Sequence, residues 1–350
     1  VNGETGYARP ETAQGMFTNF RRAYLHAREK TPFGIAQKGK VLRNEISPRR
    51  GMTRIREFTI MELELFFDPQ YPECPHLNKV TDTPLKLMTE EMLTDGVTEP
   101  LETTIGQSLQ DNHILTPWQA YYIGVSQAFI TSLGVPPGKQ RFRAHLPDER
   151  AHYSAQTYDH EVLLEWGWLE VAGHAYRTDY DLKAHAGAQE PTVLRLDGTR
   201  YVPHVVEPSF GLDRLFYVTL EHAYERRGKR NILHIPRNLA PTQIQVNPLV
   251  TRDGLPEQAR TIHQNLRNKG YTATYDKSGS IGRRYARADE IGTPLSITID
   301  YDTETDQSIT IRDRDTWTQV RTPIKDLPDK LRGYFNGQLE ILDLGEKIER

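Results

Sequence analysis

The sequence has 350 residues, with 44 Lys and Arg against 47 Asp and Glu, a formal charge of −3 and one cysteine. This length allows two domains with separate cores, and a mean hydropathy of −0.64 is typical of a globular chain with a charged surface. The composition excludes a membrane-spanning helix, because no apolar run approaches about 20 residues, and it excludes a disulfide framework, a cysteine zinc cage and a generally basic nucleic-acid-binding chain.

The N-terminus does not resemble a natural start. The chain begins with Val1, and the residues that follow lack the basic and apolar segments of a secretion signal. We therefore expect further residues to precede this sequence in the gene product. The single cysteine, Cys74, suits a reducing compartment, so the predicted location is the cytoplasm.

Residues 35–68 are predicted to form a hairpin joined by the basic turn 47–51. The second strand, predicted over residues 54–68, alternates between an apolar face and a face of arginines, glutamates and one phenylalanine. Because a face of arginines and glutamates is unsuited to a hydrophobic core, we predict that this face forms the floor of a polar site. This face carries Arg54, Arg56, Phe58, Ile60, Glu62 and Glu64, and the first strand aligns Val41, Arg43 and Glu45 with it.

Residues 69–140 have a mixed, partly helical pattern. Strand-like alternation resumes at 140–145 and again at 168–182. We therefore interpret residues 69–140 as an insertion between strands of one sheet.

A second polar cluster is predicted where a strand gives way to a helix. A strand over 201–207 is followed by a helix whose apolar residues recur at helical spacing from Leu212 onward. Ser209 is the predicted N-cap of this helix. Arg214 lies in its first turn, beside the strand end that carries Glu207.

The C-terminal part of the chain has a different organisation. From residue 242 strands and helices alternate in the order βαβαβ, which predicts a mostly parallel sheet with right-handed crossovers. The predicted domains are therefore 1–238 and 239–350.

Several common site motifs are absent from the sequence. It has no phosphate-loop lysine, no G-x-G-x-x-G after a strand, no paired histidine ligands and no G-x-S-x-G elbow. Instead, Arg43, Arg54 and Arg214 are predicted to converge near Phe58. A guanidinium binds phosphate oxygens in a bidentate manner and an aromatic ring stacks on a base, so the pattern favours a nucleoside triphosphate site over a solvated surface hairpin.

These residues resemble the motifs of class II aminoacyl-tRNA synthetases. Arg43-x-Glu45 with Arg54-x-x-x-Phe58 resembles motif 2, and the segment 211–214, Gly-Leu-Asp-Arg, resembles motif 3. The longer segments 9–15, 43–49, 56–59, 177–182, 207–211 and 278–285 are similar to glycyl-tRNA synthetases of the homodimeric type. The resemblance spans nearly the whole chain.

The resemblance implies an α/β protein with an α+β catalytic domain, built on an antiparallel sheet with flanking helices, and a C-terminal α/β anticodon-binding domain. It implies that glycine and ATP form glycyl-adenylate, and that glycine is then transferred to tRNA(Gly). Because the glycine carboxylate is itself the nucleophile, catalysis rests on positioning and charge stabilisation. A homodimer is expected for the full-length protein, with no membrane partner.

The resemblance also assigns roles in ATP binding. Arg43, Arg54 and Arg214 are the implied catalytic residues. Arg43 would hold the α-phosphate and the glycine carboxylate, Arg54 and Arg214 the distal phosphates. Phe58 would stack on the adenine, and Glu45 would contact the adenine amino group or the amino-acid side of the site. The implied ATP site comprises Arg43, Glu45, Arg54, Phe58, Glu207 and Arg214.

The implied glycine site is acidic. Glu11, Glu62, Glu207 and Ser209 would surround the ammonium group, because a compact cation with three donors pairs with acidic acceptors. Arg177 would lie on the carboxylate side of the substrate. Mg²⁺ is expected to bridge the ATP phosphates, with Glu207 as its candidate protein ligand.

Two features depart from the family pattern. Motif 1, which supplies the dimer interface of the family, should precede Val1, and Leu42 stands where the family commonly has an aromatic residue. One alternative is a non-catalytic synthetase-like subunit that binds nucleic acid or regulates a partner, although this chain retains the arginines and acids of the site. Another is a class II enzyme of the prolyl, histidyl or threonyl type, which the small-substrate signature of Glu11, Glu62 and Ser209 disfavours.

Overall fold

The chain folds into two compact units, one up to Val218 and one from Thr219 onward. The computed structural model describes residues 7–187 and 190–349. Val1 lies outside these residues, and the expectation that further residues precede it rests on the sequence alone. The predicted domain limits 1–238 and 239–350 stay a prediction.

The first unit is built on an eight-stranded sheet. The strands of this unit are β1 (Phe33–Leu42), β2 (Glu57–Phe67), β3 (Pro84–Met88), β4 (Leu101–Thr104), β5 (Gln140–Ala144), β6 (Gln156–Leu164), β7 (Gly167–Thr178), β8 (Val193–Leu194), β9 (Arg200–Tyr201) and β10 (His204–Gly211). The sheet order is β1-β2-β10-β7-β6-β5-β3-β4, and β8 with β9 forms a separate ribbon. Every pair in the large sheet is antiparallel except β3 with β5. The predicted antiparallel sheet is confirmed.

Helices cover this sheet. They are α1 (Ala13–Thr18), α2 (Phe20–His26), α3 (Glu90–Thr94), α4 (Ile105–Gln110), α5 (Pro117–Ser132), α6 (Tyr180–Ala184) and α7 (Leu212–Ala223), the last of which spans the boundary between the units. Helix α5 buries Ile123 and Ile130 in the cores beside the sheet. Helix α1 packs Phe17 edge-on against Phe66 of β2, with ring centroids 6.1 Å apart. This contact brings the N-terminal segment to the strand that carries the predicted site.

Two local predictions for this unit are wrong. Strand β2 begins at Glu57, so Arg54 and Arg56 lie before the strand and not in it. The reason is that the backbone hydrogen bonds between the two chain segments stop just beyond β1 and β2, at the bond from Arg43 N–H to Arg56 O. Ser209 is not a helix N-cap. It lies within β10, where it pairs with Glu62 of β2 on one side and Gly173 of β7 on the other, because the strand continues to Gly211 before the helix starts.

Residues 69–140, predicted as an insertion, contribute two strands to the same sheet. Strands β3 and β4 form its far edge, beyond β5. The segment also contains α5, so it supplies both an edge and a covering layer.

The second unit contains a six-stranded mixed sheet. Its elements are β11 (Tyr224–Arg227), β12 (Arg230–Leu233), β13 (Ile244–Pro248), α8 (Leu255–Asn268), β14 (Ala273–Tyr275), α9 (Ile281–Glu290), β15 (Leu295–Ile299), α10 (Tyr301–Asp306), β16 (Ser308–Asp313), β17 (Gln319–Pro323), α11 (Leu327–Phe335) and β18 (Glu346–Lys347). The sheet order is β14-β13-β15-β16-β17-β18, with parallel pairing only among the first three strands.

The expectation of a mostly parallel sheet is therefore corrected. A parallel crossover needs about a dozen residues or more, and helix α10 between β15 and β16 has only 6. Gln307, with a φ of 52°, then reverses the chain into an antiparallel strand. Across the described ranges of both units, no helix is long and apolar enough to span a membrane.

Candidate active site

A cavity of about 320 Å³ opens over the middle of the eight-stranded sheet, a size typical of small-ligand sites. Its floor comes from β2, β7 and β10, and its walls come from the segments 43–58 and 145–159. Nine of the ten predicted site residues line it, and the exception is Arg177. The nine are Glu11, Arg43, Glu45, Arg54, Phe58, Glu62, Glu207, Ser209 and Arg214.

Arg43 and Phe58 form one end of the cavity. Arg43 follows the last residue of β1, and the register that pairs Val41 with Phe58 places it beside that ring. Its guanidinium carbon lies 5.4 Å from the ring centroid, and its Nε donates to Pro10 O at 3.1 Å. The arginine is thus oriented, and within the part of the chain that the structure describes its other guanidinium N–H groups have no hydrogen-bond partner.

The other two predicted phosphate arginines are held by carboxylates. Arg54 pairs with Glu45 at 2.9 Å, and this hydrogen bond lowers the pKa of Glu45. Arg214 donates through Nη1 to Glu170 Oε2 at 2.9 Å and through Nε to Thr53 O at 3.1 Å. All of these side chains are partly exposed, so incoming phosphate oxygens can compete for the arginines.

Both carboxylate oxygens of Glu62 accept hydrogen bonds at the floor of the cavity. Its Oε2 accepts from the backbone N–H of Thr12 at 2.7 Å and also from the Thr12 hydroxyl. Its Oε1 accepts from Ser209 Oγ at 3.3 Å. These three hydrogen bonds give both oxygens of this buried side chain a partner. Thr12 was not among the predicted site residues, although it follows Glu11 directly in the sequence.

Arg177 occupies a different place from the one predicted. It is fully buried and donates to Asp181 through Nε and Nη2 at 2.8 and 2.9 Å, and to Glu207 Oε2 through Nη1 at 2.8 Å. The ring of Tyr153 covers its guanidinium at 3.8 Å. Because three of its donors are engaged by Asp181 and Glu207 and its side chain is buried, Arg177 holds Glu207 in place, and its contact with glycine stays a prediction.

Glu207 fits poorly as a magnesium ligand. Its carboxylate is buried and already paired with Arg177, whereas Mg²⁺ prefers accessible oxygen ligands and retains several waters. Among the described residues, no group of three or more His, Cys, Asp or Glu side chains is arranged to hold a metal. Of the two carboxylates that pair with the phosphate arginines, Glu170 is the more accessible, with 47% of its side chain exposed against 24% for Glu45.

Further ionisable groups line the cavity without any signal in the sequence. His145 Nε2 lies 2.8 Å from Asp159 Oδ1, and this hydrogen bond raises the pKa of His145. Burial lowers the pKa of His174 to about 3, so that this side chain is neutral. His145 and Asp159 are separated by 13 residues in the sequence, and the pairing of β5 with β6 brings them together.

The sheet, with arginines from motifs 2 and 3 around one cavity, defines a class II aminoacyl-tRNA synthetase. A solved structure with the same fold is prolyl-tRNA synthetase from Cryptosporidium parvum in complex with L-proline and AMP, with a TM-score of 0.59 and 15% identity over 94% of this chain. The chain spans 59% of the length of that structure. Residues 243–334 match the family model of an anticodon binding domain.

Curated relatives identify the family within this class. The glycine–tRNA ligase of Aeropyrum pernix is 40% identical over 99% of this chain and 73% of its own length. That of Thermococcus kodakarensis is 37% identical over 94% of this chain and 71% of its own length. The chain belongs to the glycine–tRNA ligase family, which confirms the resemblance found in its motifs.

Proposed function

We propose that this protein activates glycine with ATP and transfers it to tRNA(Gly). The observation that carries the proposal is the division of one cavity into two halves. Arg43, Arg54 and Arg214 lie at one side, and the acids Glu62 and Glu207 lie on the adjoining strands of the floor. This arrangement suits an anionic triphosphate next to a small cationic group.

The arginine half would orient the phosphates of ATP. Arg43 is proposed to contact the α-phosphate and the attacking glycine carboxylate, since its guanidinium is fixed against Phe58. Arg54 and Arg214 would exchange part of their pairing with Glu45 and Glu170 for the distal phosphates. Fixed donors aimed at developing phosphate charge typically contribute 10²–10³-fold in rate.

The acidic half would select glycine. Its ammonium is proposed to lie among Glu62, Glu207 and Glu11, with Ser209 closing the wall behind the α-carbon. Glu62 and Ser209 face each other across β2 and β10 and are hydrogen-bonded, so there is little room for a side chain. An added methyl group meets close packing, in a site where one methylene is worth about 1–3 kcal/mol.

Mg²⁺ bound with ATP would neutralise phosphate charge. The residue proposed to approach it is Glu170, because this carboxylate is exposed and lies beside Arg214. It replaces Glu207, whose charge is committed to Arg177.

The remaining assignments rest on the family. The matched anticodon-binding region is proposed to bind the anticodon arm of tRNA(Gly). The full-length protein is proposed to work as a homodimer in the cytoplasm. An RNA hairpin with the glycine anticodon arm should crosslink within residues 243–334.

ATP–pyrophosphate exchange tests the function directly. With glycine, alanine, serine, proline and threonine as separate substrates, exchange is expected with glycine alone. Exchange with none of the five would support a non-catalytic subunit, and exchange with proline or threonine would assign the other class II types.

A further inference from the structure

Glu64 is a buried acid that the proposed reaction does not use. It lies on β2, two residues after Glu62, and its side chain is fully buried. Among the described residues, both of its carboxylate oxygens are buried without a hydrogen-bond partner. An isolated buried carboxylate is strongly unfavourable, so this group requires a proton or a nearby cation.

The surroundings of Glu64 contain more acids than cations. The register that pairs Leu65 with Val206 and Glu62 with Ser209 places Glu64 opposite Glu207 on one sheet face. Glu62, Glu207 and Asp181 all act electrostatically on Glu64, and Arg177 is the basic group among its main electrostatic neighbours. On the other side, β1 presents the apolar Ile35.

The available donors are already allocated to other acids. Arg177 donates to Asp181 and Glu207, and Thr12 with Ser209 donates to Glu62. Burial raises the pKa of Glu64 well above its ordinary value, and the nearby Glu207 raises it further. A proton on Glu64 would offset part of the negative charge of this cluster, which Arg177 is the basic group to balance.

We propose that Glu64 is a proton-bearing positioning residue, which is neutral while the glycine site is empty and releases its proton to solvent when the substrate ammonium enters beside Glu62 and Glu207. The incoming ammonium supplies the positive charge that the proton supplied before. No bond other than O–H breaks, and the proton passes to water. This inference rests on the proposed glycine site.

The test is a proton count during ligand binding. The wild-type protein is titrated calorimetrically with the sulfamoyl analogue of glycyl-adenylate in buffers of different ionisation enthalpy, between about pH 6 and pH 8. The same analogue without its glycyl group gives the reference. We expect the glycyl analogue to release more protons per bound molecule than the reference analogue does. The excess should be a fraction of a proton, up to about one, in part of this pH range.

Two neutral replacements and one control complete the design. Glu64→Gln and Glu64→Met should bind the glycyl analogue without this release. Glu57→Gln changes an exposed acid on the same strand, 59% accessible, and should behave as wild type. Equal release in wild type and in a folded Glu64 variant would overturn the proposal, and so would binding by wild type with no release. Failure of wild type to prefer the glycyl analogue would instead refute the glycine site itself, and this inference with it.

Discussion

Replacing Arg177 with methionine should destabilise the first unit strongly. This arginine is fully buried and donates three hydrogen bonds of 2.8–2.9 Å to Asp181 and Glu207. Methionine fills part of the volume but leaves two buried carboxylates without their cation. Removing one partner of a buried ion pair costs about 3–5 kcal/mol, a large fraction of the 5–15 kcal/mol that stabilises a typical domain.

Urea unfolding followed by tryptophan fluorescence measures this loss, because three of the four tryptophans lie in the first unit. The matched control is Arg21→Met, which breaks an exposed pair with Glu29 at 3.5 Å and should cost about 0–1 kcal/mol. If Arg177 were a substrate ligand and not a scaffold, its loss would raise the KM for glycine with little effect on unfolding. An Arg177→Met variant within about 1 kcal/mol of wild type would refute the reasoning.

Three further changes separate the parts of the site. Arg43→Ala should lower glycine-dependent ATP–pyrophosphate exchange by about 10²–10³-fold, whereas the exposed Arg226→Ala should leave it unchanged; near-normal exchange by the first variant would remove Arg43 from the ATP site. Glu62→Gln should raise the KM for glycine and leave the KM for ATP largely intact, and unchanged glycine kinetics would defeat the acidic pocket. Glu64→Gln should change the pH dependence of stability. Because the pKa of Glu64 is raised in the folded protein above 4.5, the unfolded chain loses this proton first, and wild-type stability falls by up to about 1.4 kcal/mol per pH unit until the folded group ionises. Urea unfolding from about pH 4 to pH 8 should show that the variant lacks this decline, and parallel curves would contradict it.

The sequence predicted the cavity floor because strand alternation is a local signal. Phe58 and Glu62 are four residues apart, so both fall on one face of β2, and the structure places both in the cavity. The motif around Arg214 was visible because a strand end and a helix start adjoin within a few residues. The antiparallel sheet itself followed from the resemblance and not from periodicity.

What the sequence could not predict depends on distant partners. Nothing local indicates that Arg177 is enclosed by Asp181, Glu207 and Tyr153, since Glu207 comes from β10 and Tyr153 from the connection between β5 and β6. Glu62 and Glu64 look equivalent along β2, yet only Glu62 receives the donors of Thr12 and Ser209. Their different hydrogen-bond partners therefore depend on tertiary contacts that alternation does not encode.

A crystal structure of the protein with glycine and a non-hydrolysable ATP analogue tests most directly whether the two halves of the cavity have the roles proposed for them. The glycine nitrogen should lie within hydrogen-bond distance, about 3 Å, of carboxylate oxygens of Glu62 and Glu207, with the glycine carboxylate facing Arg43 and the α-phosphate. Glycine bound with its carboxylate toward Glu62, or phosphates bound away from Arg43, Arg54 and Arg214, would contradict the proposed site.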